Sequence, residues 1–240
     1  MDQIRLFVDH TTHPFAEKSI ELFEGADGVV IDPALVSANE MSDLSASMIV
    51  LRAEDPEIYE AWGERDKVVW TTECGLTESA RLCDEYSDMT WVPRIKINKI
   101  NKRYQFPNVS DGEGFKFYIP DTSTIRGYRV SDGESDSSLE DTLALASRLG
   151  FERLWLHAQD AENAGTGFDL EMLDWARRWF SGDIWLSGGA TTIKHLENLA
   201  AEGGVEAAIV TEELVQKHGC SILSTALKCQ VSEVPIKFMA

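Results

Sequence analysis

The sequence predicts a (β/α)8 barrel. Strand-like apolar runs recur every twenty to forty residues, and most are continuous rather than alternating. Helical patterns with capping residues fill most of the gaps. A continuous apolar run is what a parallel strand shows when both its faces are buried, and strand–helix alternation places helices outside such a sheet.

The strand-like runs are Ile4–Val8, Gly28–Ile31, Met48–Leu51, Lys67–Thr71, Thr90–Ile97, Phe115–Ile119, Arg153–His157, Asp183–Leu186 and Ala207–Val210. Between them, Ser138 suits the N-cap of a helix whose apolar positions are Leu139, Leu143, Ala146 and Leu149, with Gly150 as its stop. Asp169 plays the same part ahead of Leu170, Leu173 and Ala176, with Trp179 completing the face. Thr192 precedes Ile193, Leu196 and Leu199, and Gly203-Gly204 ends that pattern. The runs number nine where a closed barrel needs eight. No helical pattern separates Thr90–Ile97 from Phe115–Ile119, and Pro107, Gly112 and Gly114 lie between them. One of this pair is an excursion, with a hairpin as one form, and the sequence leaves open which. Asn98–Gly114 and Arg129–Ser137 read as polar loops.

Length suits one barrel-sized domain over residues 1–240. No stretch approaches a membrane span, and the N-terminus runs straight into a strand without the features of a signal peptide, so the expectation is a soluble, cytoplasmic protein. The formal charge of −19 argues against a nucleic-acid partner, which needs a basic surface. Cys74, Cys83, Cys220 and Cys229 form no close pair of the zinc or redox type and read as reduced thiols. Trp155, Trp175, Trp179 and Trp185 read as core.

Barrel enzymes work at the C-terminal ends of their strands. That rule selects Asp9-His10 with His13 behind, Asp32, Glu73, then Arg94, Lys96 and Lys99, then Asp121, His157 and Asp160, and finally Ser187-Gly188-Gly189 and Thr211-Glu212. The turn Ser187–Thr192 is the most informative. Glycines after a strand let amides approach an anion, and the following helix adds positive potential at its N-terminus. A tight turn without a ligand is the competing reading. Thr211-Glu212-Glu213 puts carboxylates where a second set of phosphate-binding amides is expected. Met89–Ser110 carries Arg94, Lys96, Lys99, Lys102 and Arg103 with no acid, a reversal of sign that suits either an anionic substrate or a solvated hairpin. Asp9, His10, His13 and His157 are the residue types of a metal site, at an unspecific spacing. Lys96 and Lys116 are candidates for a Schiff base.

From Asp121 through Arg126-Gly127-Tyr128, Arg153–Asp160, Gly165–Leu170, Ile184–Thr192 and Ala208–Gly219, the second half resembles the histidine-biosynthesis barrel family. That family includes the ribotide isomerase and the cyclase of imidazole glycerol phosphate synthase. The resemblance is closer to uncharacterised relatives of the isomerase, and it covers under half of the chain. It implies a barrel in which two aspartates transfer protons. Asp9 matches the first by position, and Asp121 the second by its spacing to Gly127-Tyr128. Gly188 and Gly189 match a phosphate site, joined here by Thr191. The expected substrate contacts are His10, Asp32, Lys96, Tyr128, His157, Asp160 and Ser187. Departures are the weak first-half loop Thr72-Glu73-Cys74-Gly75, the missing glycine after Asp160, and Thr211 in place of a last-strand glycine. They favour one phosphate over two.

The resulting expectation is an enzyme acting on a small phosphorylated metabolite by acid–base chemistry. Isomerisation is the reaction the family implies, and a lyase or condensation reaction on a sugar phosphate is its neighbour. The alternatives are a metal-dependent hydrolase or lyase and a non-catalytic ligand-binding barrel. No cofactor, nucleic acid or membrane is expected, and a homo-oligomer remains open.

Overall fold

A computed structural model describes residues 3–12, 21–35, 46–52, 58, 67–105, 122–131 and 136–228. Its strands are β1 (Arg5–His10), β2 (Gly28–Ile31), β3 (Met48–Arg52), β4 (Val68–Thr71), β5 (Thr90–Trp91), β6 (Arg94–Gln105), β7 (Thr122–Ser131), β8 (Asp136–Ser138), β9 (Arg153–Ala158), β10 (Asp183–Ser187) and β11 (Ala207–Thr211). The described helices are α1 (Leu76–Glu85), α2 (Leu139–Arg148), α3 (Gln159–Ala164), α4 (Leu170–Arg177), α5 (Ile193–Glu202), α6 (Glu212–His218) and α7 (Cys220–Lys228). No helix among the described residues is long and apolar enough to cross a membrane.

The ladder runs β5-β4-β3-β2-β1-β11-β10-β9-β6 and continues into β7 and β8. β5 and the first turn of β6 are one stave interrupted at Pro93. On one side the amides of Val92 and Arg94 donate to the carbonyls of Trp70 and Thr72. On the other, Pro93 accepts from the Trp155 amide at 2.9 Å. That stave therefore bonds to β4 and β9 at once, and eight parallel strands close into a ring. This is a (β/α)8 barrel.

Both faces of each stave are buried, which explains the continuous apolar runs. The inner cluster takes Phe7, Val30, Val50, Val69, Val92, Trp155, Trp185, Ala207 and Ile209, at least one from every stave. The alternate residues, such as Leu6, Val29, Leu51, Trp70, Ile95, Leu154, Ile184 and Ala208, pack outward against the helices. Three aromatic rings fill the interior. Phe7 and Trp185 meet edge-on at 4.9 Å, and a side chain on Gly28 would stand 2.8 Å from the Phe7 ring, so glycine is required there. At the N-terminal end, Glu206 accepts from Arg153 (2.5 Å), from Trp185 Nε1 (2.9 Å) and from Arg5 (3.3 Å), which closes the floor with polar groups.

The two segments read as loops differ from that expectation. β6 runs on to Gln105 and pairs antiparallel with β7 from Ile97↔Val130 to Gln105↔Thr122, and β7 pairs with β8. Within the described residues, Asn98–Gln105 and Arg129–Ser131 are strand. A ribbon extending beyond the barrel needs no continuous apolar run, so polar side chains there hide the strand signal. Thr90–Ile97 is thereby the barrel stave of the ambiguous pair, and Phe115–Ile119 lies outside the described residues. The capping expectations hold: Ser138 Oγ accepts from the Asp141 amide at 3.1 Å, and Asp169 Oδ1 from the Met172 amide at 2.9 Å. Trp179 differs from its core assignment. It follows the last turn of α4 and is half exposed.

Trp185 is fully buried inside the ring. Trp185→Ala should lower unfolding stability by about 3–5 kcal/mol, read as a fall in the urea midpoint with the slope retained.

Candidate active site at the mouth of the barrel

Inner-face alternation selects what reaches the mouth. Two residues beyond Phe7 comes Asp9, beyond Val30 Asp32, beyond Val50 Arg52 and beyond Val69 Thr71. Beyond Val92 come Arg94 and then Lys96, and beyond Trp155, Trp185 and Ile209 come His157, Ser187 and Thr211. Asp9, Asp32, Lys96, His157 and Ser187 are thus brought to one end, as the sequence leads one to expect. A cavity of about 220 Å³ opens there, bounded by Asp9, His157, Glu162, Ser187, the Gly188–Thr191 turn and Glu213.

Asp9 is held by its own loop, with Oδ1 accepting from the Thr11 hydroxyl at 2.8 Å and from the Thr11 amide at 3.2 Å. Asp32 makes a similar local turn, accepting from the Ala34 amide at 2.9 Å. The Gly188-Gly189 turn has φ of 99° and 88°, the left-handed region that favours glycine. A side chain would meet the Ala158 carbonyl at 2.4 Å from Gly188 and the Gly167 carbonyl at 2.3 Å from Gly189. The turn is therefore packed tightly on the loops after β9 and α3. Thr191 is committed elsewhere: its amide donates to His195 Nδ1 at 3.2 Å and its hydroxyl to the Gly165 carbonyl at 3.1 Å.

A hydrogen-bond chain crosses the floor of the cavity. Trp155 Nε1 donates to Ser187 Oγ at 2.6 Å, Ser187 Oγ meets His157 Nδ1 at 2.9 Å, and His157 Nε2 meets Glu162 Oε2 at 2.8 Å. Burial first, and then the charge of Arg94, push the His157 pKa down to about 3, so the ring is neutral near pH 7. A neutral ring has one donor and one acceptor, and Glu162 accepts. Nε2 therefore carries the hydrogen, and Nδ1 accepts a hydrogen bond from the Ser187 hydroxyl. Ser187, His157 and Glu162 are the residue types of a nucleophile, its base and an orienting acid. A base with a pKa near 3 does not activate a serine that already holds an indole N–H, so the chain is a positioning device.

Across the mouth lies a second cluster. Glu73 accepts from Arg52 at 3.3 Å and is paired with Arg94 and Lys96. Burial raises its carboxyl pKa, and Lys96, Arg94 and Arg52 outweigh that to hold it below the ordinary range. The Arg94 guanidinium stacks 4.7 Å from the centre of the Trp155 ring. The mouth is thus acidic at Asp9, Glu162 and Glu213 and basic at Arg52, Arg94 and Lys96.

Several expected contacts lie elsewhere. His10 occupies the outer face of β1, with Nδ1 2.6 Å from Glu212 Oε2 and its ring against Phe23. Tyr128 is buried on the ribbon, donating to the helix-capping Asp169 at 3.2 Å, and burial and the charges of Asp169 and Glu171 push its phenol upward. Asp160 accepts from the Lys99 amide at 2.5 Å and ties the ribbon to α3. Lys96 is ion-paired and about a third exposed, a poor setting for a Schiff-base amine. Asp121, His13, Lys116 and Cys229 lie outside the described residues. His10 is turned away from Asp9 and His157, and no group of three His, Cys, Asp or Glu among the described residues is placed to hold a metal ion. Cys220 is a buried thiol pushed up to about 11 by burial. Sequence reasoning missed Arg52 and Thr71, which alternation from Val50 and Val69 reveals, and it did not place Glu162 and Glu213 at a cavity.

The family described as histidine biosynthesis protein matches residues 124–219. The match falls in the second half of the chain. That stretch contains most of the ribbon strand β7, the Gly188-Gly189 turn, His157 and Ser187, so the match covers one side of the mouth. The fold of the whole chain is similar to the crystal structure of 3-hexulose-6-phosphate synthase from Salmonella typhimurium. The TM-score is 0.62 at 11% identity, over 94% of this chain and 99% of that one. At that identity the likeness concerns the fold. No curated protein matches in sequence.

Two outcomes test this geometry. Gly189→Ala should cost about 1–3 kcal/mol through the strained φ and the carbonyl contact, seen as a lower melting temperature. The His157 ring nitrogens should keep neutral-tautomer shifts by NMR from about pH 7 to about pH 4. The folded value of about 3 lies below the ordinary value of 6.5, so the unfolded chain takes up the proton first. The stability contributed by the neutral ring is full above pH 6.5 and is lost as pH falls toward 3.

Proposed function

We propose that this barrel is an enzyme acting on a small sugar-phosphate-like metabolite by general acid–base chemistry. The observation that carries the reading is the convergence of Asp9, the His157–Ser187 pair and the Gly188-Gly189 turn on one cavity at the C-terminal mouth. In this reading Asp9 is one proton-transfer group and Asp121 the other. The histidine-biosynthesis resemblance supports that pairing.

The ligand's phosphate lies against the Gly188-Gly189 turn, where the N-terminus of α5 contributes positive potential. Glu162 and Glu213 border the same cavity and restrict the turn to a single phosphate. Thr191 contributes there through its position on the wall, since its amide and hydroxyl are already engaged. His157 offers Nε2–H to a substrate oxygen once the half-exposed Glu162 carboxylate is displaced. A neutral imidazole donor with a locked tautomer suits an oxygen that gains charge as Asp9 moves a proton. Lys96 and Asp32 complete the mouth. The 3-hexulose-6-phosphate synthase is named for a sugar phosphate, which agrees with this ligand class. Isomerisation and carbon–carbon lysis or condensation both use such a proton relay.

A thermal-shift panel of sugar phosphates identifies the ligand, and NMR of the incubated mixture identifies the product. Asp9→Asn and Asp121→Asn should each lower turnover by about 100-fold or more while melting temperature and phosphate binding stay near wild type. Undiminished turnover in both variants rejects the relay.

A further inference from the structure

His157 can offer an N–H to a substrate only if the hydrogen stays on Nε2 after Glu162 has been displaced. Glu162 cannot supply that constraint itself. Its side chain is 45% exposed, it lies on the short helix α3, and it is the group that leaves. A neutral imidazole without an orienting partner is free to carry its hydrogen on either nitrogen.

The other side of the ring provides a firmer constraint. β9 and β10 pair in parallel, with His157 beside Ser187 and Trp155 beside Trp185. The Trp155 indole, one layer below His157 on the same stave, reaches across to Ser187 and donates from Nε1 to its Oγ at 2.6 Å. Indole nitrogen is a donor and never an acceptor, so the direction of this bond has no alternative. The ring is also fixed in place. It has no exposed surface, it belongs to the inner cluster, and the Arg94 guanidinium covers its face at 4.7 Å.

Ser187 is 5% exposed, and the partners of its hydroxyl among the described residues are Trp155 and His157. An oxygen that accepts from the indole still has one hydrogen of its own to place. Nδ1 of His157, at 2.9 Å, is where it goes. Burial and the charges of Arg94 and Lys96 keep the ring neutral, so a single hydrogen remains on it, and Nδ1 is already occupied as an acceptor.

We propose that Trp155 is a positioning residue that sets the tautomer of His157 through the Ser187 hydroxyl, so that the ring presents an N–H to the cavity with or without Glu162. The substrate oxygen meeting His157 is then an acceptor, as a carbonyl or enolate oxygen is, and His157 is not the base that removes a proton. The part played by the substrate rests on the proposed function. The tautomer itself is a property of the free protein.

Nitrogen-15 NMR of the histidine side chains in the ligand-free full chain at pH 7 tests it, with the His157 signals identified as those lost in His157→Gln. In wild type, Nε2 should be protonated and Nδ1 should carry no hydrogen. Glu162→Gln replaces a pure acceptor by a group that can donate or accept, and the same tautomer should persist. Adding Trp155→Phe to that variant keeps an aromatic ring in the core and removes only the indole donor. The ratio of Nδ1–H to Nε2–H should then rise about fivefold, the effect of one hydrogen bond, and Nδ1 should move toward its protonated shift. A packing role for Trp155 would not move this ratio. Should the double variant not fold, Ser187→Ala with Glu162→Gln removes the relaying hydroxyl instead, and the same change is expected. A doubly protonated ring in wild type overturns the proposal. So does loss of the Nε2–H form in Glu162→Gln alone, or its unchanged retention when the indole or the hydroxyl is removed as well. Because every reading is taken without a ligand, failure of the Asp9 and Asp121 relay would leave this result standing, and the reverse also holds.

Discussion

Closure of the ring at one interrupted stave is the constraint on which the site depends. Thr90–Ile97 has to bond to β4 through one set of backbone groups and to β9 through the other. Pro93 lacks an N–H, yet it falls where the missing donor faces the start of β9, and its carbonyl still accepts from Trp155. With the stave seated on both sides, strand pleating fixes the direction of each later side chain along it. Val92 fills the interior, and Arg94 and Lys96 must rise into the mouth. A slip of one residue would send those charges into the helical layer and expose Ile95 and Ile97 to the cavity, at a large cost in buried charge.

The same rigidity organises the polar chemistry. Trp155 lies under the Arg94 guanidinium with its ring face and gives its indole N–H to Ser187, so one interior side chain connects the basic cluster to the His157 chain. Because a packed barrel core holds Trp155, these groups are oriented before any ligand arrives, and little reorganisation remains for binding. The acidic and basic halves are kept apart by His157, whose neutrality results from burial and from the cations beside it. A bipolar mouth of this kind orients a polar ligand along one axis.

Much of the architecture was legible along the chain because burial on both faces leaves continuous apolar runs. Eight of the nine runs are staves, and Ser138 and Asp169 cap the helices they were assigned to. The ribbon was not legible. Asn98–Gln105 and Thr122–Ser131 carry polar side chains, and their pairing is a long-range antiparallel ladder. The candidate site was legible to the extent that strand ends are. Asp9, Asp32, Lys96, His157 and Ser187 reach the mouth, while His10 is one residue out of phase and faces the helices. Tyr128 and Asp160 serve the ribbon instead, Tyr128 by bonding a helix cap and Asp160 by accepting a ribbon amide.

By itself the sequence determined the class of fold, the direction of its strands and the end at which chemistry sits, because periodicity and capping are local properties of the chain. Which carboxylate meets which cation was decided only by the tertiary structure. Glu73 joins Arg52 and Lys96 from three different staves, and Glu162 meets His157 from the loop beyond its own stave. Ring closure sets those distances, and nothing in the spacing of residues along a strand encodes how two ends of a sheet meet.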